Sequence, residues 1–270
     1  MSANRGLAKY LQRQPINRRV ILALLPCVMA AIYYFGWRSL AMVLWAAVAG
    51  FITEYAFTRK HKEPVSEAVF VTSTIFALIM PPTVGWHIMA IGMVFAIAFS
   101  KEVFGGFGKN FFNPAMAGFC FVYICFPVAL TSTWTSPATG PFGALKQWSA
   151  ASAPDAITSA TPMSNLKAGR LILDGTQKPA SAIIPLNIQE GQKVHVEKTV
   201  FLRGLVFGNI SGTMGVTSVI AVCMGGIYLF MTKTANRSII LSLIITYGLL
   251  SQTLFWFGVK PVPEALTAVL

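Results

Sequence analysis

The run Asp155-Ala156-Ile157-Thr158-Ser159-Ala160-Thr161-Pro162 places an acid ahead of closely spaced hydroxyl side chains, in a chain that otherwise reads as apolar. Three readings compete for it. Ser, Thr, Pro and Ala dominate 149–164, which is the composition of a disordered linker. The same residues make a helix start, with Asp155 or Thr161 as N-cap and Pro162 at the first helical position. A hydroxyl here could also be a point of covalent attachment. Local chemistry favours the helix start, and an exposed helix N-terminus would favour a phosphate beside it.

Two further stretches break the apolar pattern. One is KEVFGGFGKNFFNPAMAG, Lys101 to Gly118; the other is FGNISGTMGVTS, Phe207 to Ser218. Each sets glycines before an apolar helix, and glycine lets backbone approach a partner closely in unusual dihedrals. Asn113-Pro114 is a helix start, with Asn as cap and Pro in the first turn. Helices broken at membrane depth line a cavity or a binding site, because backbone exposed to lipid is too costly. Ordinary loops with helix-packing glycines explain the same residues equally well.

Few charges lie within the apolar runs. Glu54, Glu67 and Glu102 stand near span ends, where a carboxylate snorkels to water, pairs with a neighbouring Lys or Arg, or contacts a cation or a quinone head. His61, His87 and His195 share no ligand spacing and are read as non-catalytic, with no metal site. Cys27, Cys120, Cys125 and Cys223 sit in apolar stretches without a CxxC pair, as small buried helix residues do. The GGFGKN segment lacks the spacing and the Lys-Ser/Thr of a phosphate loop, and there is no dinucleotide fingerprint. NADH and ATP are therefore not expected to bind this chain.

The elements that must hold these residues are membrane spans. The chain has 270 residues, 55% hydrophobic and only 11% charged, with mean hydropathy +0.63. Soluble domains average about 25% charged. An all-α, polytopic integral membrane protein is expected, with about seven transmembrane helices. They fall near 20–36, 39–57, 66–82, 84–100, 113–130, 215–231 and 238–257. Residues 1–19 form a polar, basic N-terminal segment with no cleavable signal, and 131–198 form one long polar loop. The net charge of +12 marks inner loops, not nucleic acid. With the N-terminus in the cytoplasm, Arg5, Lys9, Arg13, Arg18, Arg19, Arg59, Lys60, Lys62, Lys101, Lys109, Lys233 and Arg237 all fall inside. The short outer joints carry only Arg38 and Lys260, and the loop 131–198 lies outside.

Taken together, FVTSTIFALIMPPT at 70–83, KEVFGGFGKNFFNPAMAG at 101–118, DAITSAT at 155–161 and FGNISGTMGVTSVIAVCMGG at 207–226 carry a specific resemblance. The sequence resembles the NqrB/RnfD family, whose members are NqrB of the Na⁺-translocating NADH:quinone oxidoreductase and RnfD of the Rnf complex. The resemblance runs roughly from residue 15 to the end. It implies covalent FMN on Thr161 through a phosphoester bond made by an exported flavin transferase, with Asp155, Thr158 and Ser159 in the recognition sequence. The outer placement of 131–198, read independently from charge, is where such a transferase works. It also implies a second, non-covalent riboflavin between membrane helices and quinone (ubiquinone) reduction near the cytoplasmic side. Gly105, Gly106 and Gly108, flanked by Lys109 and Asn113, are the backbone assigned to approach such a ring. The implied protein is the flavin-carrying inner-membrane subunit of a bacterial NADH:quinone-type translocase. It would pass electrons inward from FMN to quinone with coupled Na⁺ transport, and its partners would be the other Nqr or Rnf subunits, the transferase and membrane lipid.

Three departures qualify the resemblance. Ser159 stands where the family has Gly, and Ala156 where it often has Gly. Val216 stands where the family usually has Glu. The family's fold is similar to an inverted repeat of two five-helix halves, about ten spans in all, so 20–130 is expected to be the first repeat. Residues 199–270 are then the start of the second, in a truncated or partial chain or else a shortened paralogue. A short N-terminus favours the Rnf branch, with ferredoxin:NAD⁺ coupling; the wording of the two glycine stretches favours the Na⁺ pump. A channel or carrier paralogue without a redox role is the alternative of a different class.

Overall fold

The computed structural model describes residues 11–12, 14–61, 64–131, 135, 137–138, 142–149, 171–173, 194–196, 198–208 and 212–257. Strand β1 is Leu11–Gln12, followed by α1 (Pro15–Phe35) and α2 (Trp37–His61). Strand β2 (Val65–Ser66) leads into α3 (Ala68–Ile79) and α4 (Trp86–Ile97), which runs on into a π-helical turn at Ala98–Glu102. Next come α5 (Pro114–Cys125), α6 (Pro127–Thr131), β3 (Leu171–Leu173), β4 (Val194–Val196) and α7 (Lys198–Phe207). Helices α8 (Val219–Met231) and α9 (Arg237–Trp256) complete the described chain. The chain is a predominantly helical, polytopic membrane protein, and each expected span holds a helix.

The helices differ in length for local reasons. Only Pro15–Phe35, Trp37–Arg59 and Arg237–Trp256, among the described residues, are long and apolar enough to cross a bilayer. Helices α3, α4 and α5 have 12 residues each, so each rises about 18 Å against a hydrocarbon thickness of about 30 Å. Proline sets several of these ends. Pro81 and Pro82 follow α3, Pro114 opens α5, and Pro127 follows its last turn. Asn113 caps α5 as expected, its side chain accepting from the Ala115 amide at 3.1 Å.

Short strands appear where the sequence reading placed only joints and a loop. β1 pairs in parallel with β2, Leu11 opposite Val65 and Gln12 opposite Ser66. β3 pairs in parallel with β4 within the 131–198 segment, Ile172 opposite His195. Runs of two and three residues carry no period for a sequence pattern to reveal.

The joints gather at two opposite ends of the helices. At one end Arg38 donates to the carbonyls of Thr83 and Val84 at 3.1 and 2.9 Å. The stretch 142–149 packs there too, with the Ala144 amide on the Tyr33 carbonyl and the Arg38 amide on the Trp148 carbonyl. At the other end Glu67 accepts from the Gln14 amide at 2.7 Å and forms an ion pair with Arg18 at 2.6 Å. This is the division that the alternating-span reading requires.

The core lies among α1 to α5, where Phe76, Met80, Met89, Met93 and Ile97 are fully buried. Helix α8 docks on α1 with the Gly225 backbone against Ala23. Helix α9 presents apolar side chains almost all round, and Ser251 alone is buried along it. Cys27 is buried as expected, whereas Cys120, Cys125 and Cys223 are exposed on helix faces. Lipid tails are as apolar as a protein core, so a cysteine gains little by turning inward.

Adjacent glycines in α8 give a direct test of this docking. A methyl group on Gly225 would sit 2.3 Å from the Ala23 carbonyl oxygen, whereas one on Gly226 meets nothing within 4 Å. Gly225→Ala is predicted to destabilise the protein by about 1–3 kcal/mol through overpacking. Gly226→Ala is predicted to be neutral or to stabilise by up to about 1 kcal/mol through helix propensity. Thermal unfolding of both variants in detergent measures the difference.

Candidate functional site

The π-helical turn at Ala98–Glu102 ends α4 and hands the chain to the glycine loop. A π turn widens the helix by one residue and recurs at functional sites. Here the Gly105 amide donates to the Glu102 carbonyl and the Gly106 amide to the Lys101 carbonyl, each at 3.0 Å. The loop is thus anchored on the turn's own carbonyls. Gly105, Gly106 and Gly108 have φ of +101°, +88° and +84°, a region that costs a residue with a Cβ about 1–2 kcal/mol. The sequence could show three glycines; only the backbone shows that all three need to be glycine.

The space around the loop matters as much as its dihedrals. A Cβ on Gly106 or Gly108 would meet nothing within 4 Å, so one face of the loop backbone is open. Phe104, Phe107, Phe111 and Phe112 are exposed around it, with Phe104 and Phe111 edge to face at 5.3 Å. Lys109 folds back over Gly105, its Nζ 3.5 Å from where a Cβ would stand. Asn113 closes the loop, its Oδ1 occupied as the α5 cap. An open backbone face with aromatic side chains and one ammonium suits a planar, partly polar ring such as a flavin or a quinone. The structure therefore brings Gly105, Gly106, Gly108, Lys109 and Asn113 together on one loop.

Asp155, Thr158, Ser159 and Thr161 lie outside the described residues. The described start of their loop, 142–149, packs against Tyr33, Trp37 and Arg38. That is the end of the helices opposite the glycine loop. The second glycine stretch serves that same far end. The Met214 and Gly215 amides donate to the carbonyls of Met80 and Leu78 at 3.2 and 2.7 Å, closing the C-terminus of α3. Tyr34 donates its hydroxyl to the Phe207 carbonyl. Val216 is 64% exposed, so the position where the resemblance expects Glu points away from the packed interior.

Next to the π turn lies a cluster that sequence reasoning only half assembled. Lys101 Nζ is 2.5 Å from Glu54 Oε2 and 2.7 Å from Ser66 Oγ. The Ser66 amide and hydroxyl each donate to Glu54 Oε1 at 2.8 Å. All three residues are at most 3% exposed. Glu54 is thus neither a snorkelling nor an interfacial acid; it is a buried, paired one. Glu54 within one expected span and Lys101 just past the end of another were both visible, but their 47-residue separation hid the pairing. Ser66, the first residue of an expected span, carried no signal. Among the described residues no group of three or more His, Cys, Asp or Glu side chains could hold a metal.

Comparison with known proteins finds relatives of the chain in one family. A relative in Shewanella amazonensis, named as a subunit of an ion-translocating oxidoreductase complex, is 32% identical over 93% of this chain and 70% of its own length. One in Clostridium ljungdahlii, named as a subunit of a proton-translocating ferredoxin:NAD(+) oxidoreductase complex, is 31% identical over 86% of this chain and 62% of its own length. A third, in Citrobacter koseri, again named as a subunit of an ion-translocating oxidoreductase complex, is 29% identical over 91% of this chain and 70% of its own length. The chain thus spans between three-fifths and three-quarters of the length of these relatives. The family model for NQR2, RnfD and RnfE matches residues 7–270, and the chain belongs to that family.

Proposed function

We propose that this chain is the flavin-carrying membrane subunit of an ion-translocating electron-transport complex. FMN is held through a phosphoester to Thr161, with Asp155, Thr158 and Ser159 presenting that hydroxyl to a flavin transferase. The glycine loop at 103–113 receives a second flavin, riboflavin, or the quinone that takes the electrons. The N-terminus and the glycine loop face the cytoplasm of a bacterial inner membrane, and 131–198 face outward, as the distribution of Lys and Arg supports. The observation that carries this reading is the open, positive-φ glycine backbone ringed by exposed phenylalanines, in a chain of this family.

The chain's own contribution is position and electrostatics. A covalent tether makes the local concentration of a cofactor independent of its supply. A flavin supplies reversible one- and two-electron transfer, and the protein fixes where that happens. Gly106 and Gly108 let main-chain amides lie flush against a ring. Phe104 and Phe111 screen one side from water, and the Lys109 ammonium favours negative charge developing on a ring oxygen.

The acceptor separates two readings. In the Na⁺-pump version electrons leave to quinone and Na⁺ moves. The names of the relatives favour the second version, in which the chain is the RnfD-type component of a ferredoxin:NAD⁺ complex with Rnf partners. Reconstituted vesicles driven either by NADH with quinone or by reduced ferredoxin with NAD⁺, and read for Na⁺ and H⁺ uptake, distinguish them.

Two predictions test the common core. Co-expressed with a flavin transferase, the protein is predicted to fluoresce under ultraviolet light on a denaturing gel. Thr161→Ala abolishes that signal, and peptide mass spectrometry across 147–167 finds the FMN adduct on Thr161. A folded wild type without an adduct overturns the covalent-flavin reading and leaves a non-redox channel or carrier. Gly106→Val is predicted to lower electron delivery to the acceptor about tenfold or more, as ring misplacement does. The Thr161 adduct stays intact in that variant. Unchanged turnover removes the loop from the electron path.

A further inference from the structure

We propose that Glu54 and Ser66 form the seat of a monovalent cation, and that the Lys101 ammonium occupies this seat in the structure as a built-in substitute. The inference rests on the ion-translocating reading above and gives it a place in this chain. The geometry is that of a small oxygen-lined site. Glu54 Oε2 and Ser66 Oγ flank one positive charge at 2.5 and 2.7 Å, and Ser66 holds the other carboxylate oxygen with two further hydrogen bonds. Carboxylate and hydroxyl oxygens are hard ligands that suit unhydrated hard cations. The charge count selects the valence. One carboxylate balances one ammonium, so a monovalent ion can replace Lys101 with the buried charge unchanged, whereas a divalent ion would leave an excess positive charge in a dry interior.

The seat and its plug belong to different elements. Glu54 is fixed in the long helix α2, where the Thr58 hydroxyl bonds its carbonyl at 3.0 Å, and Ser66 is fixed in β2 by its pairing with β1. Lys101 instead belongs to the π turn at the end of α4, on a flexible four-carbon stem. Its carbonyl accepts the Gly106 amide at 3.0 Å while its ammonium plugs the seat. One residue therefore joins the glycine loop to the carboxylate. A ligand that displaces the loop backbone pulls on the turn that carries the plug. Withdrawal of Lys101 would leave Glu54 as an uncompensated buried charge, a strongly unfavourable state. A monovalent cation that enters the seat restores the charge balance.

The alternative is a structural ion pair that only locks α2, β2 and α4 together, and the two make different predictions. The test uses the full chain in lipid nanodiscs as wild type, Lys101→Met, and Lys101→Met combined with Glu54→Gln. Thermal unfolding is followed over a series of sodium chloride concentrations kept isotonic with choline chloride. Lys101→Met is expected to rise in transition temperature by several degrees with sodium, saturably, because an ion that binds only the folded state stabilises it. The double variant is expected to show the same transition in sodium and in choline. A Lys101→Met transition indifferent to sodium overturns the proposal.

A measurement on the wild type stands even where Lys101→Met fails to fold. A membrane-permeant carbodiimide is expected to modify Glu54 slowly in choline chloride. Sodium chloride is expected to protect it about threefold or more, read by mass spectrometry of the Glu54 peptide. Equal modification in both salts, or none in either, overturns the proposal. Neither readout uses flavin or electron flow, so a negative result here leaves the Thr161 reading standing, and a missing Thr161 adduct leaves this one standing.

Discussion

A main-chain amide or carbonyl without a partner costs several kcal/mol inside a bilayer. That constraint governs this molecule, because several of its helices are shorter than the apolar layer is thick. Each break has to be closed by another piece of chain. The carbonyls at the end of α3 are closed by the amides of Met214 and Gly215, which come from more than a hundred residues away. The break after α4 is closed locally, by a π turn whose carbonyls take up the amides of the glycine loop. Both glycine stretches thus answer the same physical demand at opposite ends of the bundle, one by long-range docking and the other by a self-contained turn.

Charge obeys a parallel rule. A lone ionised side chain in the interior is too costly to keep, so Glu54 and Glu67 each have a cationic partner. The two pairs differ in setting. Arg18 is half exposed beside Glu67 and ties the approach to α1 onto the joint before α3. Lys101 and Glu54 are both buried, and their contact spans two helices and a strand. A buried pair of this kind is weak grounds for stability, since well-packed apolar residues do as well at lower desolvation cost. Its presence beside the π turn and the open loop directs attention to function.

The class of the molecule and the order of its parts were legible in the amino-acid order alone. Apolar runs located each span, because composition decides what dissolves in lipid. The alternation of basic joints sorted those joints into two sets, which the structure finds at two opposite ends. Asn113-Pro114 was legible as a helix start, because a cap is a local hydrogen bond between neighbours in sequence. The motifs at 101–118 and 207–226 carried the family resemblance that the comparisons bear out.

Folding in three dimensions settled what depends on residues far apart in the chain. Span lengths were overestimated at α3 and α5, where the expected spans ran on through Pro81, Pro82 and Pro127, which end those helices. Ser66 became a partner of Glu54 only when the β1–β2 pairing placed it there. Glu54 and Lys101 found each other across 47 residues, through the packing of α2 on α4. The three loop glycines were visible as letters, but their positive dihedrals and the open space beside them belong to the folded backbone. Local hydrogen bonding and hydropathy are written in neighbouring residues. Burial, pairing and open space are properties of the packed chain, and these turn the π turn and its loop into a candidate site.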